Sequence, residues 1–233
     1  MPTPERTTGS ARISKTSVRG DPSWSRLLIV EGTSGVGKST LIDRLIRRYV
    51  AAQPERRLRT VLHLTQAHTY GPLAPDEDLG TLTVEQNVEH LNSVISMLEW
   101  HVSALTDETR VKFFAVIDTL HLTQCLRPGV LTWADVADVD CRLARLGARL
   151  VFLNGTANTI WERGIDARRN EEFITNYAHH RFGGTLEQIH LHFVREQEQM
   201  RALLASTALK YRELDAERDI DVNVDDAYNF WLE

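Results

Sequence analysis

The residues best suited to chemistry stand in one run, Gly32-Thr33-Ser34-Gly35-Val36-Gly37-Lys38-Ser39-Thr40. Gly32, Gly37, Lys38 and Ser39 fit the spacing G-x-x-x-x-G-K-[ST] of a loop that cradles phosphate. Glycines let the backbone turn sharply and bring its N–H groups onto phosphate oxygens, where a side chain would intrude. A helix starting near Lys38 aims its positive end and its free N–H donors at the same anion. In such a loop the lysine reaches the β- and γ-phosphates of a nucleoside triphosphate and the Ser39 hydroxyl ligates Mg2+. Gly32 through Thr40 are therefore the expected nucleotide-binding residues. Asp118 closes an apolar run, the usual place for an acid that holds Mg2+ through water beside a phosphate loop. Arg163 and Arg168 lie on a short polar segment, where guanidinium groups can clamp charge that develops during phosphoryl transfer. Arg169 is a weaker third, and solvated helix-surface arginines are the alternative for all three.

Candidates for an acceptor side are less sharply marked. Glu31 directly precedes the loop and reads either as a group near magnesium or acceptor, or as a structural hydrogen-bond acceptor. Gln66, His68 and His121 fall near the expected cleft edge, as does His63. Of the nine histidines, His179 and His180 are adjacent and His190 and His192 are two apart, so neither pair shares a helical face. No Cys/His spacing resembles a zinc site. Cys125 and Cys141 read as buried free thiols of a reducing compartment.

These side chains need a scaffold that gathers them. Leu27–Val30 reads as a short buried strand, and Leu41, Ile42, Leu45, Ile46 and Tyr49 as the apolar face of the helix after the loop. Thr60–Leu64 is a second strand, feeding a loop from Thr65 to Gly80. Thr83 and Gln86 form a capping box. Val84, Val88, Leu91, Ile95, Leu98, Val102 and Leu105 then give one apolar stripe. Val111–Ile117 is nearly continuous apolar, as a central parallel strand is. A polar segment follows, then a helix over 135–146, a strand over 148–153 and a short helix over 158–169. Thr185 and Gln188 form a second capping box and open a long helix. A last strand falls within 209–222, and a terminal helix starts at Asp225.

Alternating strands and helices imply an α/β fold with a parallel five-stranded sheet covered on both faces. Ligands of such sheets collect at the carboxyl ends of the strands, where the phosphate loop, the 65–80 loop and Asp118 would meet. Residues 1–25 read as a flexible tail and 26–233 as one domain. No apolar run approaches spanning length, so no membrane partner is expected. A net charge of −5 argues against a nucleic acid polymer. A cytoplasmic protein is expected.

The string Ile29-Val30-Glu31-Gly32 through Thr40 resembles the opening of thymidylate kinases and deoxynucleoside kinases, which carry a Glu-Gly before the same loop. The resemblance implies a P-loop NTPase fold with an arginine-bearing lid after the fourth strand. It implies ATP and Mg2+ as cofactors, with Ser39 and Asp118 at the metal, and Lys38, Asp118, Arg163 and Arg168 as catalytic residues. The acceptor would lie between the loop after the second strand and the long helix from Thr83. Two departures count: Thr119 follows Asp118 where thymidylate kinases have an arginine that helps hold the acceptor's phosphate. Gln66 and His68 stand where deoxynucleoside kinases place a glutamate base, which leaves Asp118, Glu31 and His68 as candidate bases. The expected activity is transfer of a γ-phosphoryl group to a nucleoside, nucleotide or similar small molecule. A kinase for an antibiotic or other secondary metabolite is one alternative, and a regulatory NTPase switch is another. Homodimerisation is a further expectation of the resemblance, which the apolar stripe permits.

Overall fold

The structure, a computed structural model, describes residues 25–52, 59–78, 80–104, 112–126, 131–168, 175 and 185–233. Five strands, β1 (Ser25–Glu31), β2 (Arg59–Leu64), β3 (Lys112–Asp118), β4 (Arg149–Asn154) and β5 (Lys210–Asp215), form one sheet in the order β2-β3-β1-β4-β5. Every neighbouring pair is parallel. The central strands are apolar because both of their faces are covered. Leu27, Ile29, Phe113, Ala115, Ile117, Leu150 and Phe152 point into one core. Their alternates Leu28, Val30, Phe114, Val116, Val151 and Leu153 point into the other. The sheet order places β1 between β3 and β4, so the connection leaving β1 lies where neighbouring crossovers diverge.

Helix α1 (Lys38–Ala51) buries Leu41, Ile42, Leu45 and Tyr49 in the second core, as the sequence spacing predicts. Between β2 and the long helix the chain does not run as an open loop. It forms α2 (Gln66–Thr69), a 3₁₀ turn (Gly71–Leu73) and α3 (Ala74–Asp78). The start signal was hidden, because Thr65 pairs with His68 in a reciprocal cap where glutamate or glutamine is the usual partner. Helix α4 (Val84–Ser103) has the expected Thr83/Gln86 capping box, and Leu91, Ile95 and Leu98 of its stripe are buried in the first core. The polar segment after β3 contains α5 (His121–Gln124), and α6 (Trp133–Arg145) follows with a Thr132/Asp135 capping box. After β4, α7 (Ala157–Thr159) continues as a π-helical turn over Ile160–Ile165 and a 3₁₀ turn over Asp166–Arg168.

Helix α8 (Leu186–Leu204) begins with Thr185 accepting from the Gln188 N–H at 3.3 Å, the first half of the expected box. It serves both layers, with Ile189 and Phe193 in the second core and Met200 and Leu204 in the first. Helix α9 (Ile220–Leu232) starts five residues before the expected Asp225. The alternation of Ile220, Val222 and Val224 imitates a strand period, but Asp219 caps the first turn by accepting from Asp221 N–H at 2.8 Å. The expected tail lies outside the described residues apart from Ser25, as do Arg169, His179, His180 and most of the lid segment. No helix among the described residues is long and apolar enough to cross a membrane. Cys125 and Cys141 are free, and burial with the nearby negative charges of Glu31 and Asp135 pushes the Cys125 thiol up to about 12. Cys141 is exposed, where a buried thiol was expected.

Candidate functional site

The loop between β1 and α1 takes its shape from backbone approaches that only glycine allows. Gly32 has φ 146°, and a Cβ there would sit 2.5 Å from the Leu153 carbonyl oxygen of β4. Gly35 has φ 86°, and a Cβ there would sit 2.5 Å from the Gly164 nitrogen in the π-helical turn. Val36 is the loop's anchor, fully buried in the second core. Gly37 caps α1 with no side-chain hydrogen bond to its first turn, so the helix's free N–H donors face the loop. Ser39 and Thr40 are exposed at that helix start. The cradle and the uncapped helix end fit an anion of phosphate type.

Lys38 Nζ donates to the Gly32 carbonyl at 2.7 Å and to the Thr33 carbonyl at 3.0 Å. Burial lowers its pKa, and the charges of Asp118, Glu196 and Glu31 oppose that shift. Asp118 reaches the loop through strand register, since Val30 of β1 pairs with Asp118 of β3. Burial raises the Asp118 pKa against the pull of Lys38 and His63, and its Oδ1 is buried without a hydrogen-bond partner. Thr119, next in the chain, has φ 58° and donates its hydroxyl to the Asp118 carbonyl at 2.7 Å. A β-branched residue in that region is strained, and such strain concentrates at functional sites.

Among the described residues no three His, Cys, Asp or Glu side chains gather into a metal cluster. Ser39 and Asp118 instead suit a hard cation such as Mg2+, which keeps most of its shell as water and phosphate oxygen. The unpartnered Asp118 oxygen is the observation that fits this group.

The other expected residues divide. Glu31 is fully buried, and its carboxylate accepts from Leu120 N–H at 2.9 Å and from the Thr123 hydroxyl at 2.5 Å. These two bonds brace α5 beneath the site, and burial raises the Glu31 pKa. His121 is also fully buried, with Nε2 2.9 Å from Asp140 Oδ1 and with Nδ1 unpartnered. Asp140 additionally accepts from the Thr207 hydroxyl at 2.5 Å and Ala208 N–H at 2.6 Å. Burial works to raise its pKa, but these bonds outweigh burial and lower it. Gln66 and His68 are exposed on α2, where the His68 ring caps its own helix. Arg168 donates to Ser34 Oγ at 3.0 Å and so touches the loop. Arg163 turns the other way, donating to the Ala216 carbonyl at 3.0 Å in the turn after β5.

Two features escaped the sequence. Glu196 of α8 accepts from the Thr33 hydroxyl, bringing a third carboxylate to the loop. No motif marks it. Asn87 of α4 is fully buried with both amide atoms unpartnered, and Gln124 Oε1 of α5 is likewise unpartnered. Gln124 Nε2 donates to the Thr69 carbonyl at 2.9 Å, and the His90 ring lies 3.1 Å from the same oxygen, one turn beyond Asn87. Thr69 Oγ1 in turn lies 3.4 Å from the Asp118 carbonyl. A polar residue three positions after Val84, inside an apolar stripe, was the available signal for Asn87.

The sheet order, the glycine loop after β1 and the acid at the end of β3 define a P-loop NTPase-like α/β fold. A crystal structure of the YorR protein from Bacillus subtilis, in complex with phosphorylated GDP, shares that fold with a TM-score of 0.52. The likeness covers 88% of this chain and 94% of that one at 15% sequence identity. No family model matches the chain, and no curated protein matches it in sequence.

Proposed function

We propose that the chain is an ATP- and Mg2+-dependent kinase for a small hydroxylated or phosphorylated acceptor of nucleoside type. The observation that carries the reading is the β1–β3 register, which sets an acid with an unpartnered oxygen beside a glycine loop, a lysine and an open helix start. The neighbour's bound phosphorylated GDP supports a nucleotide as a ligand of this fold. Magnesium, when bound, supplies charge neutralisation for the phosphates, with Ser39 and Asp118 as its residues. Lys38 exchanges its two carbonyl partners for phosphate oxygens, and Arg168, already at Ser34, adds positive charge at the loop's rim. Phosphoryl transfer asks for positioning and charge compensation rather than covalent chemistry from the protein, and these residues supply both.

The acceptor enters between α2, α4 and α5. Asn87 and Gln124 there present buried polar atoms that the described protein leaves unpaired, a cost of about 1–3 kcal/mol for each group unless a ligand meets it. Asp118, through the carboxylate oxygen that the metal does not take, is the better-placed base for an acceptor hydroxyl, because Glu31 is committed to α5. As the acceptor oxygen bonds to the γ-phosphorus, the bond to the β–γ bridging oxygen breaks and the hydroxyl proton passes to the base. Where the acceptor is already a phosphate, no base is needed.

The test is ADP release from ATP over a panel of nucleosides, nucleotides and hydroxylated metabolites. Acceptor-dependent release that disappears in Lys38→Ala, with the fold retained, is the expected result. Release indifferent to every acceptor, or turnover retained in that variant, overturns the proposal.

A further inference from the structure

Four consecutive residues of the phosphate loop, Gly32 to Gly35, are held by Lys38 and by groups from outside the loop. Lys38 holds the carbonyls of Gly32 and Thr33, Arg168 holds Ser34, Gly164 packs on Gly35, and Glu196 accepts from the Thr33 hydroxyl. Of these partners, Glu196 brings negative charge to a loop built to receive it. It cannot retire with its helix. The next residue, Gln197, accepts from Gly155 N–H at 2.9 Å and donates to the Gly155 carbonyl at 2.7 Å, both in buried surroundings. Gly155 directly follows β4, whose Leu153 carbonyl lies under Gly32. The helix is thus fastened to the same strand end that supports the loop, and only rotation of the Glu196 side chain is available to it.

We infer that Glu196 is a specificity-determining residue: its carboxylate, held at the Thr33 hydroxyl, disfavours any phosphate ligand of the loop not neutralised by a divalent cation. This deepens the kinase reading and rests on it for the loop's ligand. A like charge beside the loop, at the effective dielectric of a partly buried site, changes affinity by about tenfold or more per charge. The residue therefore selects the magnesium complex of a nucleoside triphosphate over the free tetra-anion. Gln197, fastened to Gly155, keeps the carboxylate in range.

Titration calorimetry on the full chain separates this role from simple bracing. ATP is titrated with Mg2+ and, separately, with EDTA into wild type, Glu196→Gln and Thr33→Val. Wild type is expected to prefer the magnesium complex. Glu196→Gln, nearly isosteric, should tighten metal-free ATP by about tenfold or more while moving the magnesium complex by less than about threefold. Thr33→Val removes the hydroxyl but keeps the charge, and should keep the wild-type preference. Equal shifts for both forms in Glu196→Gln, weakening of both, or loss of the preference in Thr33→Val alone would overturn the role of Glu196 and leave the kinase reading standing. A wild-type chain that binds neither form refutes the phosphate-loop reading and this inference together.

Discussion

The contact between Gly35 and Gly164 can be tested from both sides, and the two outcomes should differ. In Gly35→Ala the new methyl meets the Gly164 nitrogen at 2.5 Å, and it does so at φ 86°. Both groups in the collision are backbone, so no side chain can rotate away. A left-handed non-glycine residue costs about 1–2 kcal/mol, and overpacking against fixed neighbours adds about 1–3 kcal/mol. The sum, about 2–5 kcal/mol, corresponds in a chain of this size to a melting point lower by about 4–20 °C. In Gly164→Ala the methyl meets Ser34 O at 3.1 Å and Gly35 Cα at 3.5 Å, which a shift of a few tenths of an ångström relieves. Alanine also recovers about 0.5–1 kcal/mol of helical backbone entropy, so the net change should stay within about 1 kcal/mol, or about 4 °C. Differential scanning fluorimetry measures both, with nucleotide affinity as a second reading that should fall sharply in Gly35→Ala alone. Equal melting losses in the two variants would refute the claim that backbone geometry at this contact decides the cost.

Asn87→Leu should gain about 1–3 kcal/mol, since it removes an unpaired buried amide, and should also abolish acceptor-dependent ADP release. A stability loss, seen by urea denaturation, would show the amide to be satisfied. Asp140→Ala strips the partner from the His121 ring, the Thr207 hydroxyl and the Ala208 N–H at once, and should cost about 3–5 kcal/mol in the same assay. Glu31 holds its proton more tightly folded than unfolded, because burial raises its pKa above 4.5. Its contribution is therefore fully present below the unfolded pKa and is lost as pH rises through the folded one. The stability difference between wild type and Glu31→Gln should accordingly move in favour of the variant as pH rises from acid to neutral. A difference that is flat with pH, measured by denaturant titration, would contradict that sign.

What could be read in advance follows the range of the interactions. The phosphate loop was legible because glycine and lysine at fixed offsets act through local backbone geometry. Asp118 was legible because an uninterrupted apolar run names a strand buried on both faces, and its end follows. Glu196 comes from 163 residues further along, and its meeting with Thr33 exists only after α8 has packed across the sheet. The helices inside 65–80 were missed because histidine closed the cap, and the start of α9 because alternating β-branched residues imitated a strand. Arg163 and Arg168 look equivalent in a line of letters, yet five residues along a mixed π and 3₁₀ turn send one to the loop and the other to the turn after β5. The strain at Thr119 leaves no mark in composition at all.

Helix α8 places side chains in both hydrophobic layers and, midway between them, carries Glu196 and Gln197. A segment that bridges two cores makes their unfolding one cooperative event, because neither layer can open while the bridge is intact. Amide protons of α1 and α4, on opposite sides of the sheet, should then exchange with similar opening free energies. The phosphate loop inherits that cooperativity through the bridge's midpoint. Ligand bound at the loop would slow exchange in helices it never touches.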